Sequence, residues 1–228
     1  CKEVGVRLIH ITDNELKHSP EKIKSLLNSI LNLKKKRIHG RKCEVREIGT
    51  KLKGKFLNKY HLQGNDKASV KLGLFYNDHL VSVMTFCKRR LGIGGNILDN
   101  IGEYELSRFS GNRNFYVIGG ASKLLKYFER NYKPKKIISY ADKRWSVGDV
   151  YFKLGFTHTH DSKPNYWYFQ TNHITTGKIY HRFNFRKSQL SKKLDSFDPF
   201  KTEWDNMKDN NWNRYWDCGT IVFAKEYG

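Results

Sequence analysis

The stretch Ser139-Tyr140-Ala141-Asp142-Lys143-Arg144-Trp145 places several chemically active side chains at the end of a predicted β-branched strand. Residues just beyond the carboxyl end of such a strand line the crevice of an open α/β sheet. Asp142 is suited to accept a proton from an amine nucleophile there. Lys143 and Arg144 suit phosphate groups, and Trp145 suits stacking on a base. The alternative is an Asp that caps the next helix, a solvated Lys–Arg pair and a core Trp, and the sequence leaves both interpretations open.

A glycine pair, Gly119-Gly120, opens the helix that precedes this strand. Apolar residues recur after it at helical spacing, at Ala121, Leu124, Leu125 and Phe128. A turn of this kind aims free backbone N–H groups at whatever lies before the helix, which is how a helix N-terminus holds a phosphate. Because a lone glycine pair is a weak signal, the alternative is a tight strand-to-helix turn without a ligand.

Two further stretches carry candidate polar groups. A helix is predicted from Ser146, a suitable N-cap, to Gly155, a suitable residue after the helix end, and Tyr151 lies on its apolar stripe. Earlier in the chain, Tyr60-His61-Leu62-Gln63-Gly64 closes another predicted helix. Either a functional loop or an ordinary helix end fits that segment.

The elements around these residues follow a regular order. Residues 41–170 read as strand, helix, three strands, helix, strand, helix and strand. Val70–Tyr76 and Leu80–Cys87 are two of the strands, and Asn77-Asp78-His79 is the turn of the hairpin between them. This order predicts a mixed α/β sheet with helices on both faces.

The segment Tyr116-Val117-Ile118-Gly119-Gly120-Ala121 resembles the pyrophosphate loop of the acyl-CoA-dependent N-acetyltransferase (GNAT) fold, Arg/Gln-x-x-Gly-x-Gly/Ala, with Tyr116 where Arg or Gln is usual. Tyr151-Phe152-Lys153-Leu154-Gly155-Phe156 is similar to a Tyr-x-x-x-Gly-Phe phrase in which the family's tyrosine often protonates the leaving thiolate. The resemblance implies an acetyl-CoA or another acyl-CoA as cofactor, held by Gly119, Gly120, Ala121 and Ser122. The candidate catalytic residues are Asp142, Tyr151 and Ser139.

Further segments are similar to the phage Mom-type DNA-adenine modifiers and to a phage domain that often follows a Vsr-like homing endonuclease. Tyr104–Phe109 and Ser139–Asp142 carry both similarities, and Lys163–Tyr168 with Trp216–Gly219 extends the second. The second similarity covers most of residues 41–228. It implies double-stranded DNA as partner, a cytoplasmic location in the host cell of a phage, and a divalent metal only where a nuclease domain precedes the chain.

The composition predicts a polyanionic partner. The 228 residues carry a net charge of +21 and the pI is near 9.8, so nucleic acid is the simplest partner. A membrane surface competes as an anion, but the sequence contains no long apolar run, signal peptide or lipidation motif, and we expect no membrane partner. The alternative is a soluble basic protein that binds no specific anionic partner. The candidate nucleic-acid contacts are Lys88, Arg89, Arg90, Arg108, Lys143, Arg144, Trp145, Arg182 and Arg186.

Cysteine spacing argues against a metal site. None of the four cysteines, Cys1, Cys43, Cys87 and Cys218, belongs to a C-x-x-C pair, so no metal ligands are assigned. A reducing compartment is the natural assumption for such a chain.

The first forty residues differ from the rest. Residues 4–11 read as a buried strand, and a helix is predicted to begin at Ser19-Pro20. Because Gly5–Ile11 resembles the last strand of the Vsr-like nuclease fold, we interpret residues 1–33 as the remnant of a nuclease domain upstream of Cys1. Residues 34–40 are predicted to be a basic linker to the 41–170 domain.

The end of the chain is rich in aromatic residues. Residues 171–228 are predicted to form an aromatic, basic and β-rich tail that packs on the main domain. Tyr180–Lys187 alternates aromatic and basic residues, which suits base stacking with phosphate contact and also a half-buried strand with a basic face. Trp212–Lys225 is predicted to be a hairpin that turns near Asp217-Cys218-Gly219.

Three interpretations of function follow from these patterns. The first is the DNA-binding C-terminal portion of a phage-type homing endonuclease on an acetyltransferase-like scaffold, and it is preferred because the resemblance behind it covers more of the chain. The alternative is an acyl-CoA-dependent transferase of the Mom type that modifies a DNA base or another amine. A third interpretation, an RNA- or ribosome-associated basic protein, rests on charge alone.

Overall fold

The computed structural model describes residues 4–31, 33, 36–88, 101–170 and 178–228. The predicted contacts Arg89 and Arg90 and part of the predicted linker lie outside the described residues. The chain divides into two compact units. We call the described parts of Glu21–Ala141, Trp145–Asp161 and Ile221–Gly228 the sheet unit. The described parts of Cys1–Pro20, Asp142–Arg144 and Ser162–Thr220 form the aromatic unit.

Helices and strands are numbered in chain order. The helices are α1 Asp13–His18, α2 Pro20–Ile30, α3 Thr50–Tyr60, α4 Gly120–Tyr132, α5 Asp149–Lys153, α6 Lys187–Leu190 and α7 Glu203–Asp209. The strands are β1 Lys36–His39, β2 Glu44–Glu47, β3 Val70–Tyr76, β4 His79–Lys88, β5 Glu103–Gly111, β6 Phe115–Ile118, β7 Lys136–Asp142, β8 Thr157–Asp161, β9 Tyr166–Gln170, β10 Tyr180–His181, β11 Trp212–Trp216 and β12 Thr220–Glu226.

A seven-stranded sheet with the order β2-β3-β4-β5-β7-β12-β8 forms the centre of the sheet unit. Its strands from β2 to β5 are antiparallel, β5 pairs with β7 in parallel, and β12 pairs with β8 in antiparallel fashion. The fold is therefore mixed α/β. The predicted order of elements is confirmed, with two additional strands, β6 between β5 and α4 and β8 between α5 and β9.

Helices cover both faces of this sheet, as predicted. Successive side chains of a strand point to opposite faces. On β4, Val83 packs with Leu57 of α3, whereas Met84 belongs to the core cluster that contains Leu124 and Phe128 of α4. The Phe128 ring stacks on Phe86 of β4 with centroids 3.6 Å apart. The central core thus lies between α4 and the sheet.

The predicted helix from Ser146 to Gly155 is shorter than expected. Gly148 precedes α5 with φ +90°, a conformation that L side chains rarely adopt. A side chain at Gly148 would overlap the ring of Phe223, which is fully buried. The helix begins after this glycine because the chain there has to pass close to β12.

The predicted linker contains a strand. Residues 36–39 form β1, which pairs in parallel with β6, so that Lys36 lies opposite Phe115 and His39 opposite Ile118. Ile38 on this ribbon is buried in the central core. Residues 36–39 are therefore part of the folded sheet unit rather than a connector.

The strand predicted over residues 4–11 is wrong, because no strand is assigned there among the described residues. Val4, Val6 and Leu8 are more than half exposed, so the apolar run does not enter a core. The prediction of a helix from Pro20 is confirmed, and Ile23 anchors α2 at 1% exposure. Ahead of it, a capping box between Thr12 and Glu15 starts the short helix α1.

A three-stranded sheet with the order β10-β9-β11 organises the aromatic unit. Its core consists of Tyr168, Phe185, Leu190, Leu194, Met207 and Trp212. The predicted Trp212–Lys225 hairpin is wrong, because β11 pairs with β9 whereas β12 pairs with β8. The predicted tail of residues 171–228 therefore contributes β12 to the large sheet and most of its remaining described residues to the aromatic unit.

Candidate active site

The strands β5 and β7 separate at the residues that the sequence singled out. In the described chain their pairing covers Glu103–Glu105 and Lys136–Ile138, although both strands continue. At the first position beyond the pairing, the hydroxyl of Ser139 lies 2.9 Å from the carbonyl oxygen of Leu106. Ser139 is 1% exposed. A buried side-chain hydrogen bond thus takes over where the strand ladder ends.

Tyr151 of α5 completes this arrangement. Its hydroxyl lies 3.0 Å from the Ser139 hydroxyl. A hydroxyl carries one hydrogen and a carbonyl oxygen accepts only, so Ser139 donates to Leu106 and Tyr151 donates to Ser139 when both contacts are satisfied. The Tyr151 ring stacks on Phe223 of β12 with centroids 4.7 Å apart. The packing and the hydroxyl contact together fix the phenol at the fork.

The environment of Tyr151 keeps the phenol protonated. Burial raises its pKa above the ordinary value, against the opposing effects of the Ser139 hydrogen bond and the charge of Arg108. A phenol in this state carries its proton at neutral pH. Two of the three predicted catalytic residues, Ser139 and Tyr151, are therefore brought together, with a proton available between the diverging strands.

Arg108 and His61 add two groups that face the same surroundings. The Arg108 guanidinium donates to the carbonyl oxygens of Ser107 at 2.7 Å and Gly64 at 3.4 Å. Burial, followed by the charges of Arg108 and Lys22, lowers the pKa of His61 to about 4. The Nδ1 atom of His61 accepts the backbone N–H of Gln63 at 3.1 Å, so the neutral ring carries its proton on Nε2. The polar segment at the end of α3 is therefore part of the charged surroundings of the fork.

A buried ion pair beneath these groups was not predicted. The ammonium of Lys53 lies 2.8 Å from the Asp66 carboxylate, and their side chains are 1% and 3% exposed. Thr85 donates to the same carboxylate at 2.6 Å, and Ser107 also hydrogen-bonds to it. Burial alone would raise the pKa of Asp66, but these donors and the Lys53 charge hold it below its usual value. The network ties α3 and β4 to Ser107, which lies between the fork residue Leu106 and Arg108.

The glycine pair forms the turn that the sequence predicted. Gly119 precedes α4 in the left-handed conformation, φ +73°, and no atom lies within 4 Å of a Cβ placed there. A Cβ on Gly120 would lie 3.0 Å from Leu74 and Val117, so this position admits no side chain without movement. The first backbone N–H groups of a helix have no partner within it. The open turn, followed by Ala121 and Ser122, has the properties that a phosphate group requires.

Asp142 and Arg144 are engaged with each other and belong to the aromatic unit. The Asp142 carboxylate accepts the backbone N–H of Arg144 at 2.9 Å and its guanidinium at 3.4 Å. Glu15 forms a second ion pair with the same guanidinium at 2.9 Å. Burial works against the charge of Arg144, but the two carboxylates outweigh it and raise its pKa. Asp142 caps no helix, because α5 begins only after Gly148, and its carboxylate instead closes a local turn and pairs with Arg144.

The remaining predicted nucleic-acid contacts belong to different elements of the structure. Lys88 is exposed at the end of β4. Trp145 is half-buried in the sheet unit, and Lys143 donates its backbone N–H to Gly219 within the aromatic unit. Arg182 and Arg186 are exposed on a 3₁₀ turn and just after it. The nucleic-acid contacts stay a prediction at all of these positions.

Two absences apply to the described residues. No group of three or more His, Cys, Asp or Glu side chains is arranged there to hold a metal ion. No helix in the described ranges has both the length and the apolar content that crossing a membrane requires.

Comparison with solved structures returns acetyltransferases. An IAA acetyltransferase from Bacillus cereus is 11% identical with a TM-score of 0.44, over 81% of this chain and 99% of that chain. A GNAT family acetyltransferase from Elizabethkingia anophelis with acetyl-CoA bound is 12% identical with a TM-score of 0.43, over 82% and 99%. A GNAT family acetyltransferase from Streptococcus pneumoniae is 10% identical with a TM-score of 0.45, again over 82% and 99%.

Likeness at this level is too low to carry an argument about function, and the fold class rests on the strand order given above. No family model matches the chain. No curated protein sequence matches it either.

Proposed function

We propose that the sheet unit is an acyl-CoA-dependent transferase that acylates an amine. The observation that carries the proposal is the hydrogen-bonded pair of Tyr151 and Ser139 at the point where β5 and β7 separate. A protonated, packed phenol in a gap between strands is suited to give its proton to a leaving group. This reading corresponds to the alternative function that the sequence suggested.

The residues before α4 fit the phosphates of such a cosubstrate. Gly119 leaves open space at the turn, and Gly120 lets the start of α4 pack closely against Leu74 and Val117. Tyr116, where the acetyltransferase loop has Arg or Gln, is 58% exposed and brings no charge. Backbone N–H groups would therefore supply the contacts. Acyl-CoA would contribute an acyl group activated as a thioester.

Side chains of the protein would then take part in the proton transfers of the reaction. The acceptor amine forms a C–N bond with the acyl carbon while the C–S bond breaks. Tyr151 gives its phenolic proton to the departing sulfur and later takes a proton back from solvent, and Ser139 holds the phenol in place. The amine releases its surplus proton to solvent. A DNA base amine, as in the Mom-type resemblance, is the acceptor that we propose to test first.

Thiol release from acetyl-CoA tests this function. We expect Tyr151→Phe to lower turnover by a factor of about 10² or more, because a positioned general acid is worth that much, with acetyl-CoA affinity unchanged. Tyr132→Phe is the matched control, since Tyr132 also loses a hydroxyl hydrogen bond, to Glu47 at 2.7 Å, on an exposed part of the same unit. Equal losses in both variants, or no stabilisation of the wild type by acetyl-CoA, would refute the proposal.

A second candidate function is nucleic-acid binding, and the net charge of +21 favours it. A possible nuclease remnant was one of three supports for its endonuclease version, and the strand that suggested this remnant is not formed over residues 4–11. We therefore keep the DNA-binding part of the first hypothesis, and the association with a homing endonuclease stays a prediction from resemblance. Titration of labelled DNA at several salt concentrations tests binding, and affinity that does not respond to salt would contradict it.

A further inference from the structure

The aromatic unit contains a continuous row in which guanidinium groups alternate with aromatic rings. We call it the arginine–aromatic row, and its members in order are Arg186, Phe183, Arg182, Tyr166, Arg214 and Trp216. The distances from guanidinium carbon to ring centroid along the row are 4.4, 5.7, 5.1, 5.3 and 4.8 Å. All lie within the range of cation–π attraction.

The row is held by the fold of the unit. Tyr166 and Trp216 lie opposite each other on β9 and β11. His181 fixes the other end, because its Nδ1 atom accepts the backbone N–H of Phe183 at 3.3 Å and starts the 3₁₀ turn. Phe185 at the end of that turn is 5% exposed and packs in the core of the unit. The rings and cations are therefore positioned before any partner arrives.

The arginines of the row form no ion pair with any carboxylate that the structure describes. Within the described residues, no carboxylate lies within 4.0 Å of Arg182, Arg186 or Arg214. The carboxylate of Glu203, which packs nearby, accepts hydrogen bonds from Tyr166 and Tyr168 instead, at 3.0 and 2.8 Å. Ring contact uses only the flat face of a guanidinium, so the exposed Arg182 and Arg186 keep their N–H edges available, whereas the Nε atom of Arg214 is buried.

The rings at both ends of the row face solvent. Phe183 is 50% exposed and Trp216 is 54% exposed. Exposed aromatic area next to uncompensated guanidinium groups suits a ligand that combines negative charge with flat, unpaired rings. Duplex bases are already stacked on one another and offer no free face, whereas the bases of a single strand do.

We propose that the arginine–aromatic row is a binding surface for single-stranded nucleic acid. The guanidinium edges contact phosphates, and Phe183 and Trp216 stack on unpaired bases. This proposal rests on the second candidate function, nucleic-acid binding, and refines the double-stranded partner predicted from the sequence. It is independent of acyl transfer by the sheet unit.

Two double variants and three ligands test the surface. Fluorescence anisotropy measures binding of a labelled single strand, the same sequence as a duplex, and heparin, a polyanion without bases, over a range of salt concentrations. Arg182→Gln/Arg186→Gln removes two charges of the row. Arg46→Gln/Arg130→Gln removes two charges elsewhere, and Arg46 is paired with Glu44 and Asp78.

We expect the row variant to flatten the dependence of log affinity on log salt by about 1.4 for the single strand, since each lost phosphate contact removes about 0.7. The control variant should keep the wild-type slope. Phe183→Leu/Trp216→Leu should weaken single-strand binding by about tenfold or more and leave heparin binding unchanged, because stacking requires bases. Leucine retains apolar packing at both positions, and an unchanged thermal midpoint confirms the fold.

The outcomes distinguish nucleic-acid binding in general from binding at the arginine–aromatic row. If the wild type binds none of the three ligands, nucleic-acid binding fails and the surface with it. If the single strand binds but the row variant keeps the wild-type slope, binding occurs elsewhere and the surface is refuted. Equal weakening of single-strand and heparin binding by the leucine variant would show that the rings have only a structural role.

Discussion

Two sites of this chain, the Lys53–Asp66 pair of the sheet unit and the arginine–aromatic row of the aromatic unit, treat positive charge in opposite ways. In the sheet unit, Lys53 is 1% exposed and its ammonium is paired with Asp66 at 2.8 Å. In the aromatic unit, Arg182 and Arg186 are exposed and lie against rings, and Arg214 is half-buried between them. One arrangement compensates a charge inside the protein, and the other leaves the charge for a partner.

The difference separates a structural use of charge from a functional one. A buried pair that loses one member leaves the other without compensation, so the sheet unit depends on Lys53 for folding. An exposed cation on a ring contributes little to folding and retains its attraction for anions. We therefore expect large stability effects at the buried pair, and small stability effects with large binding effects in the arginine–aromatic row.

The largest expected effect is at the buried pair. Lys53→Met should lower the free energy of unfolding by about 3–5 kcal/mol, because the Asp66 carboxylate stays buried without its cation. Urea denaturation measures the change. Lys55→Met is the control, since Lys55 is exposed on the same helix. A loss below 1 kcal/mol for Lys53→Met would mean that Thr85 and Ser107 satisfy the carboxylate without the lysine.

Close packing at the fork gives the next effect. Gly148→Ala should cost about 2–4 kcal/mol, because it combines a positive φ with overlap on Phe223, the ring against which Tyr151 stacks. Gly119→Ala has a positive φ but open space, so it should cost about 1–2 kcal/mol. Thermal unfolding compares the two. Equal costs would show that the β12 ring moves freely and that the fork is less rigid than we infer.

A smaller, pH-dependent effect on the free energy of unfolding is expected at His61. Its folded pKa of about 4 lies below the ordinary value near 6.5, so the stability it contributes is complete above pH 6.5 and is lost as the pH falls toward 4. Because the ring is partly exposed, we expect about 1–2 kcal/mol over this window. His61→Gln should flatten the fall in unfolding free energy, and His79→Gln, at the exposed first residue of β4, is the control. Parallel curves for wild type and His61→Gln would contradict the burial of the ring.

The smallest stability effect is expected in the row. Arg182→Gln/Arg186→Gln should change the free energy of unfolding by less than about 1 kcal/mol, since exposed cation–π contacts are weak. Urea denaturation of the same samples used for binding measures it. A loss comparable with that of Lys53→Met would remove the contrast between the units and make the row a part of the folding core.

Local sequence patterns predicted the elements whose partners are near in sequence. The hairpin of Val70–Tyr76 is confirmed because its turn residues Asn77 and Asp78 tolerate positive φ. The helix after Gly119 is confirmed because its apolar spacing matches the face that it buries. Ser139 and Tyr151 were both named from the sequence, but their contact depends on how α5 packs against β7, which spacing alone does not contain.

Non-local features escaped prediction. The run over residues 4–11 looks like a buried strand because it is apolar, yet it has no sheet partner in the described structure and Val4, Val6 and Leu8 are exposed. In the sequence Lys53 resembles the other lysines of α3, which lie at the surface. In the structure it is buried because the loop that carries Asp66 packs on it. Asp142 was predicted as a base because it ends a strand, but Arg144 two residues later claims its carboxylate.

The position of β12 sets the order in which the protein can be assembled. Ser162 and Thr220 are 58 positions apart, and their hydroxyls meet at 3.0 Å, while Asp161 pairs with Ile221 at the edge of the large sheet. Residues 162–220 therefore leave the large sheet and return to it at adjacent positions, as an inserted domain does. During synthesis the large sheet stays incomplete until β12, which follows this segment in the chain, has left the ribosome. Such long-range pairing raises the contact order, so we expect the seven-stranded sheet to be the slow step of folding.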